Sequence, residues 1–199
     1  MRRLIFGLAL ASVFAAAGSA QEAEVSITGG LASFSNSKFG NLTATGDPQG
    51  ELTADNGFRV GARLSLNSWE FLGHEISYAY QRSGLNIGGA DSGGMAIQNY
   101  YYNFVVHATP QGATVRPFAT AGVGVSTYFP PGTSAFSGNG LNSFGYNYGG
   151  GLKFPIGPMF GLRFDVRDHV TGNPFDDFVF SNSGRIHNIE YSAGFSLLF

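Results

Sequence analysis

The chain has 199 residues, 11 basic against 13 acidic, 30 glycines, 19 phenylalanines and no cysteine. Without cysteine there is no disulfide framework and no thiolate centre for metal or redox chemistry. Without a basic excess there is no electrostatic footprint for a nucleic-acid partner. After residue 20 no run of 18 consecutive apolar residues occurs, which excludes a helical membrane protein.

Met1 to Ala20 carries Arg2 and Arg3, an apolar run from Leu4 to Ala17, and the small residues Gly18-Ser19-Ala20 before Gln21-Glu22. This order predicts a secretory signal peptide over residues 1–20, cleaved after Ala20. The apolar run is 14 residues, short of the ~20 that a spanning helix requires. Loss of Arg2 and Arg3 leaves nine basic residues against 13 acidic, a formal charge of −4 for residues 21–199.

From Val25 onward the chain reads as alternating runs. The first sets Val25, Ile27, Gly29 and Leu31 against Ser26, Thr28, Gly30 and Ala32; the second sets Phe58, Val60, Ala62, Leu64 and Leu66 against Arg59, Gly61, Arg63, Ser65 and Asn67. A period of two places the two sets on opposite faces of a strand. The third run has Ile76, Tyr78 and Tyr80 opposing Glu75, Ser77 and Gln81, and the fourth has Tyr100, Tyr102, Phe104 and Val106 opposing Asn99, Tyr101, Asn103 and His107. The fifth spans Val115 to Ser126, with Arg116 and Phe118 on its more polar side. The sixth spans Phe144 to Phe154, with Lys153 opposite its aromatic residues. The seventh puts Phe160, Leu162, Phe164 and Val166 opposite Gly161, Arg163, Asp165 and Arg167. The last places Ile189, Tyr191, Ala193, Phe195, Leu197 and Phe199 on one face, with Glu190 on the other.

The connections alternate in length. Asn36 to Asn56, Ser83 to Gly94, Pro130 to Asn142 and Thr171 to Arg185 are long; Ser68 to Gly73, Thr109 to Thr114 and Pro155 to Pro158 are short. Eight strands with every long loop at one end predict an all-β fold, an eight-stranded antiparallel up-and-down transmembrane β-barrel over residues 21–199. A soluble ligand carrier would turn the apolar face inward. Here the other face is rich in glycine, including Gly61, Gly122, Gly124, Gly145, Gly149, Gly151, Gly161 and Gly194, which suits the crowded interior of an eight-stranded barrel. Aromatic residues near strand ends (Tyr80, Phe144, Phe154, Phe160, Phe199) suit membrane girdles on the apolar face. The only tryptophan, Trp69, lies in a turn, so the Gly-Xaa-Trp motif usual in lipocalins is missing.

With the apolar face outward, the lumen receives Arg59, Arg63, Arg116, Lys153, Arg163 and Arg167 against Glu75, Asp165 and Glu190. Buried charges need partners, so ion pairs across the lumen are expected, with Tyr101, Tyr128 and water covering the basic excess. The strand Gly161-Leu162-Arg163-Phe164-Asp165-Val166-Arg167, the Arg116-Pro117-Phe118 strand start and the aromatic carboxyl end together resemble the small bacterial outer-membrane β-barrel family, of the type of the transmembrane domain of outer membrane protein A. The resemblance implies export to the outer membrane and a C-terminal assembly signal (Tyr191, Ala193, Phe195, Leu197, Phe199) read by the barrel-assembly machinery. It also implies outer-membrane lipid and lipopolysaccharide as surroundings, and a monomer. The pattern departs from outer membrane protein A in stopping at the eighth run, so a peptidoglycan-binding domain and a cell-wall tether are not expected.

Two families of lipid A enzymes use similar barrels, and the deacylases among them carry a His-Xaa-Ser pair. The residues two beyond His74, His107, His169 and His187 are Ile76, Thr109, Thr171 and Ile189, none of them serine, and His187 and Glu190 fall on opposite strand faces. No catalytic residue, cofactor or metal site is therefore expected. Asn173, Asp176 and Asp177 read as turn residues around Pro174. The expected role is structural or surface-interactive through four long extracellular loops, including apolar Phe39, Leu42, Phe175, Phe178, Val179 and Phe180, above a filled lumen. The alternatives are a narrow pore or small-hydrophobe channel, then a lipid A modifying enzyme.

Overall fold

The computed structural model describes residues 22–35, 38–42, 51–87, 89–135, 140–172, 180–181 and 184–199. In chain order the strands are β1 (Glu22–Phe34), β2 (Lys38–Leu42), β3 (Glu51–Asn67), β4 (Leu72–Ile87), β5 (Ala90–His107), β6 (Arg116–Phe129), β7 (Leu141–Pro155), β8 (Phe160–Thr171), β9 (Phe180–Ser181) and β10 (Ile186–Leu198). Each barrel strand pairs antiparallel with its neighbours, and β1 closes the wall by pairing with both β3 and β10. The result is a closed eight-stranded antiparallel β-barrel, extended at the long-loop end by the short β2–β9 pair. Closure leaves no long strand edge in the barrel wall. The expectations on residues 1–20, on Asn173, Asp176 and Asp177 and on Phe175, Phe178 and Val179 lie outside the described residues; of Phe39, Leu42 and Phe180 only the backbone is described, in β2 and β9.

The alternation sorts the side chains as a membrane requires. Ile27, Phe58, Val60, Ile76, Phe104, Phe144, Phe164 and Phe195 stand exposed on the outer wall, while Arg59, Arg63, Glu75, Lys153, Arg163 and Glu190 are buried in the lumen. Lipid solvates the first set and the barrel's own polar groups solvate the second. Small residues make the room: a side chain at Gly124 would run into the Tyr101 ring, and one at Gly151 into the Phe118 ring.

Several boundaries differ from expectation: the connection Asn36 to Asn56, expected as loop, contains β2 and the first six residues of β3, and the last strand begins at Ile186 rather than Ile189. Strand one begins at Glu22 rather than Val25. The connection Ser83 to Gly94, expected as a long loop, is almost all strand: β4 runs to Ile87, β5 resumes at Ala90, and Gly89 turns the chain at φ 81°. Its glycine-rich composition reads as loop, but ladder pairing with the neighbouring strand overrides local propensity.

The physical reason lies in strand length. β3, β4 and β5 have 17, 16 and 18 residues, where ~9–11 suffice to cross a bilayer. Their upper ends project into water, and there the polarity inverts. Phe34, Leu52, Leu85, Met95, Ile97 and Ile186 pack inside the barrel, while Asp55, Asn56, Arg82 and Asn142 face out. Once water replaces lipid outside, apolar side chains gain by turning inward.

Candidate functional site: the lumen charge network and the outer wall

The lumen below the apolar cluster holds a connected network of charges. Asp165, on β8, lies at its centre, with Arg63 Nη1 at 2.5 Å, Arg163 Nε at 2.8 Å and Arg167 Nη2 at 2.9 Å from its oxygens. Opposite it on β4, Glu75 forms ion pairs with Arg163 Nη2 at 2.7 Å and Arg167 Nη1 at 2.8 Å. The strand period places Arg163, Asp165 and Arg167 on one face, so a single strand presents cation, anion, cation in a row. Glu75 then crosslinks the two arginines from the other side of the barrel. Above them, Glu190 accepts from Arg63 Nη2 and from Ser192 Oγ at 2.6 Å and forms an ion pair with Arg59 Nη2 at 3.1 Å; His169 Nε2 lies 3.1 Å from it. Arg163 and Arg167 are 0% and 1% exposed in the side chain, so the network fills the cross-section at this level.

All nine sequence-predicted lumen residues lie in the lumen, and eight of them, Arg116 excepted, belong to this network or its lower neighbour. The acid count needs correction. Glu22 and Glu24 also point inward: Glu24 pairs with Lys153 and accepts from Ser196 Oγ at 2.6 Å, and Glu22 pairs with Arg116 Nη1 at 2.7 Å. Among the described residues five acids therefore face six cations, and the expected excess shrinks to one. The tyrosines expected to cover it have other hydrogen bonds, Tyr101 with Ser126 at 3.0 Å and Tyr128 with Thr171 at 2.7 Å. Phe118 instead offers its ring to the cations, 4.8 Å from Arg163 and 5.5 Å from Lys153. The signal for Glu22 and Glu24 was present in the sequence, since they continue the inward parity of Ser26 and Thr28.

On the outer wall, His187 does have a carboxylate partner, though not Glu190. Asp168, on the adjacent strand, lies 2.7 Å from His187 Nδ1 and accepts from Tyr148 Oη at 3.0 Å. The pairing depends on the register of β8 against β10, which sequence spacing does not reveal. No serine or threonine hydroxyl is bonded to His187 among the described residues, so the nucleophile of a serine hydrolase is missing from this pair. The last strand presents Tyr191, Ala193, Phe195, Leu197 and Phe199 outward. Its ladder runs to the chain end, where Phe199 N donates to Ala23 O at 2.8 Å and Ala23 N to Phe199 O at 3.1 Å.

A closed β-wall, apolar where lipid would lie and charged within, defines an integral membrane barrel of the outer-membrane kind. The profile of the outer membrane protein beta-barrel domain matches residues 6–199, and the chain belongs to that family of the bacterial outer membrane. Among solved structures it is similar to the outer membrane protein OprG from Pseudomonas aeruginosa, at 14% identity and TM-score 0.64, over 88% of this chain and 95% of that one. Neisserial surface protein A is similar at 16% identity and TM-score 0.54, over 89% and 96% of the two chains. The N-terminal β-barrel domain of Pseudomonas aeruginosa OprF is similar at 12% identity and TM-score 0.53, over 90% and 98%. At these identities the likeness is one of fold. No curated protein sequence matches the chain significantly.

Proposed function

We propose that this barrel is a sealed, non-enzymatic outer-membrane anchor whose work is done at its outward end, by the loops and the strand extensions that carry them. One observation supports this reading above the others: the lumen is blocked twice, by the Glu75–Arg163–Asp165–Arg167 layer and, above it, by the apolar cluster around Met95 and Ile97, both 0% exposed. An ion would have to displace paired, buried charges and then cross an apolar plug, each step costing several kcal/mol. Planar-bilayer recording on the refolded protein should show no steady unitary current. Steady single-channel steps would overturn the reading.

The apolar cluster favours a second reading, passage of a small hydrophobe through the upper lumen. That requires the cluster to part without breaking the charge layer below it. Liposomes carrying the protein would then take up a small apolar fluorophore faster than empty ones; equal rates would sink this alternative. The same proposal includes export by a signal peptide cleaved after Ala20, recognition of the last strand by the assembly machinery, and a monomeric barrel among lipopolysaccharide. Mature protein starting at Met1 would contradict the first of these.

A further inference from the structure

Between β1 and β3 the ladder of the wall is interrupted. The β1–β3 ladder ends at Ala32 opposite Gly57, and pairing resumes only at Lys38 opposite Thr53, through β2. Ser33, Phe34 and Ser35 run on against β10 without a ladder partner on β3, and β3 shifts register against β4 between Ala54 and Gly57. The mismatch opens a recess of about 540 Å³ on the outer surface, lined by Leu31, Ser33, Asn56, Phe58, Arg82 and Tyr191. At ~3.3 Å per residue and a tilt of ~40°, a strand climbs roughly 2.5 Å per residue. Leu31 and Phe58, nine residues from the short-turn ends of their strands, stand about 23 Å up, at the top of an apolar band ~25 Å tall.

Chemistry divides the recess at this height. Leu31, Phe58 and Tyr191 face out, below or level with the interface, while Arg82 sits cross-strand from Phe58 with its guanidinium laid over Gly94, where a side chain would collide with it. The Arg82 side chain is exposed and makes no hydrogen bond or ion pair among the described residues. Asp55, on the same face, lies over Gly84 and accepts from Asn86 Nδ2 at 2.8 Å instead. An uncommitted cation beside the exposed apolar side chains of Leu31, Phe58 and Tyr191 matches an amphiphile with an anionic head.

We infer that this recess binds the phosphorylated head of an outer-leaflet glycolipid of the lipid A type, with a phosphate on Arg82 and an acyl chain against Leu31, Phe58 and Tyr191. Guanidinium suits phosphate because its fork of donors can bind two oxygens at once. The inference rests on the proposed orientation, long-loop end outward, and names the lipid that this end would hold.

Native mass spectrometry of the folded protein titrated with bis-phosphorylated lipid A tests it. Wild type should retain discrete lipid adducts, and Arg82→Gln should weaken them roughly tenfold, the loss of about one charge-assisted hydrogen bond. Arg82→Lys should keep an intermediate affinity and serves as the folded control, confirmed by its heat-dependent gel shift. Equal adducts in wild type and Arg82→Gln would overturn the site, as would equal binding of dephosphorylated lipid A. Phosphatidylglycerol bound as tightly, with the same dependence on Arg82, would overturn the choice of glycolipid. Bilayer recordings of Arg82→Gln should stay silent like wild type, so a failure here is distinguishable from a failure of the sealed-barrel reading.

Discussion

Removing the Glu190 carboxylate should strand one particular cation. In Glu190→Ala, Arg63 keeps Asp165 at 2.5 Å, so its charge remains paired. Arg59 has no such reserve: among the described residues Glu190 is its only carboxylate within ion-pair distance, and its Nε and Nη1 are buried without a hydrogen-bond partner there. Breaking a buried pair by deleting one partner costs about 3–5 kcal/mol, because an uncompensated charge stays in a low dielectric. That is a large share of the ~5–15 kcal/mol by which a domain is typically stable. The assay is urea unfolding in lipid vesicles, followed by the fluorescence of Trp69, the chain's only tryptophan, with the heat-dependent gel shift as a second probe. A paired change, Glu190→Ala with Arg59→Met, removes the stranded charge and should recover more than half of the loss. A loss below about 1 kcal/mol in the single variant, or strictly additive losses in the pair, would refute the assignment of Arg59 as the dependent cation.

Glu24→Ala should cost about 3 kcal/mol by stranding Lys153, whereas Glu22→Ala, whose side chain is 21% exposed, should cost about 1 kcal/mol or less; comparison of their urea midpoints checks the ranking. Gly124→Val places a branched side chain against the Tyr101 ring and should destabilise by about 2–3 kcal/mol or more. Gly29→Ala, where an added Cβ meets nothing within 4 Å, should leave the melting profile within about 0.5 kcal/mol of wild type. Deleting Phe199 removes an outward aromatic that is 70% exposed and both backbone bonds to Ala23. Its yield of membrane-inserted, heat-modifiable protein in cells should fall; normal insertion would count against a role for this residue in assembly.

The faces of the strands were legible in the sequence because a transmembrane barrel writes its two solvents into a period of two. Phe160-Gly161-Leu162-Arg163-Phe164-Asp165-Val166-Arg167 needs no partner to show which side meets lipid. The same reasoning stopped where the solvent changes. Leu85, Met95 and Ile97 share the inward parity of Glu75, Asn99 and Asn103, but outside the bilayer that parity must be apolar, so a pattern tuned to lipid reads the projecting hairpin as loop. Glu22 and Glu24 were within reach of parity alone once strand one is extended by three residues.

Pairing was not legible, since it depends on which residues the closed register brings face to face. Lys153 meets Glu24 across 129 positions of sequence, and Arg63 meets Glu190 across 127. His187 finds Asp168 only because β10 lies against β8, and the recess at Arg82 exists only because β1 and β3 part at Gly57. Sequence by itself determined the eight strands, their two faces and the membrane they suit, because burial in lipid acts on each residue separately. Tertiary structure alone decided the charge partners, the apolar cap and the break in the wall, because strand register and barrel closure are properties of the whole ring.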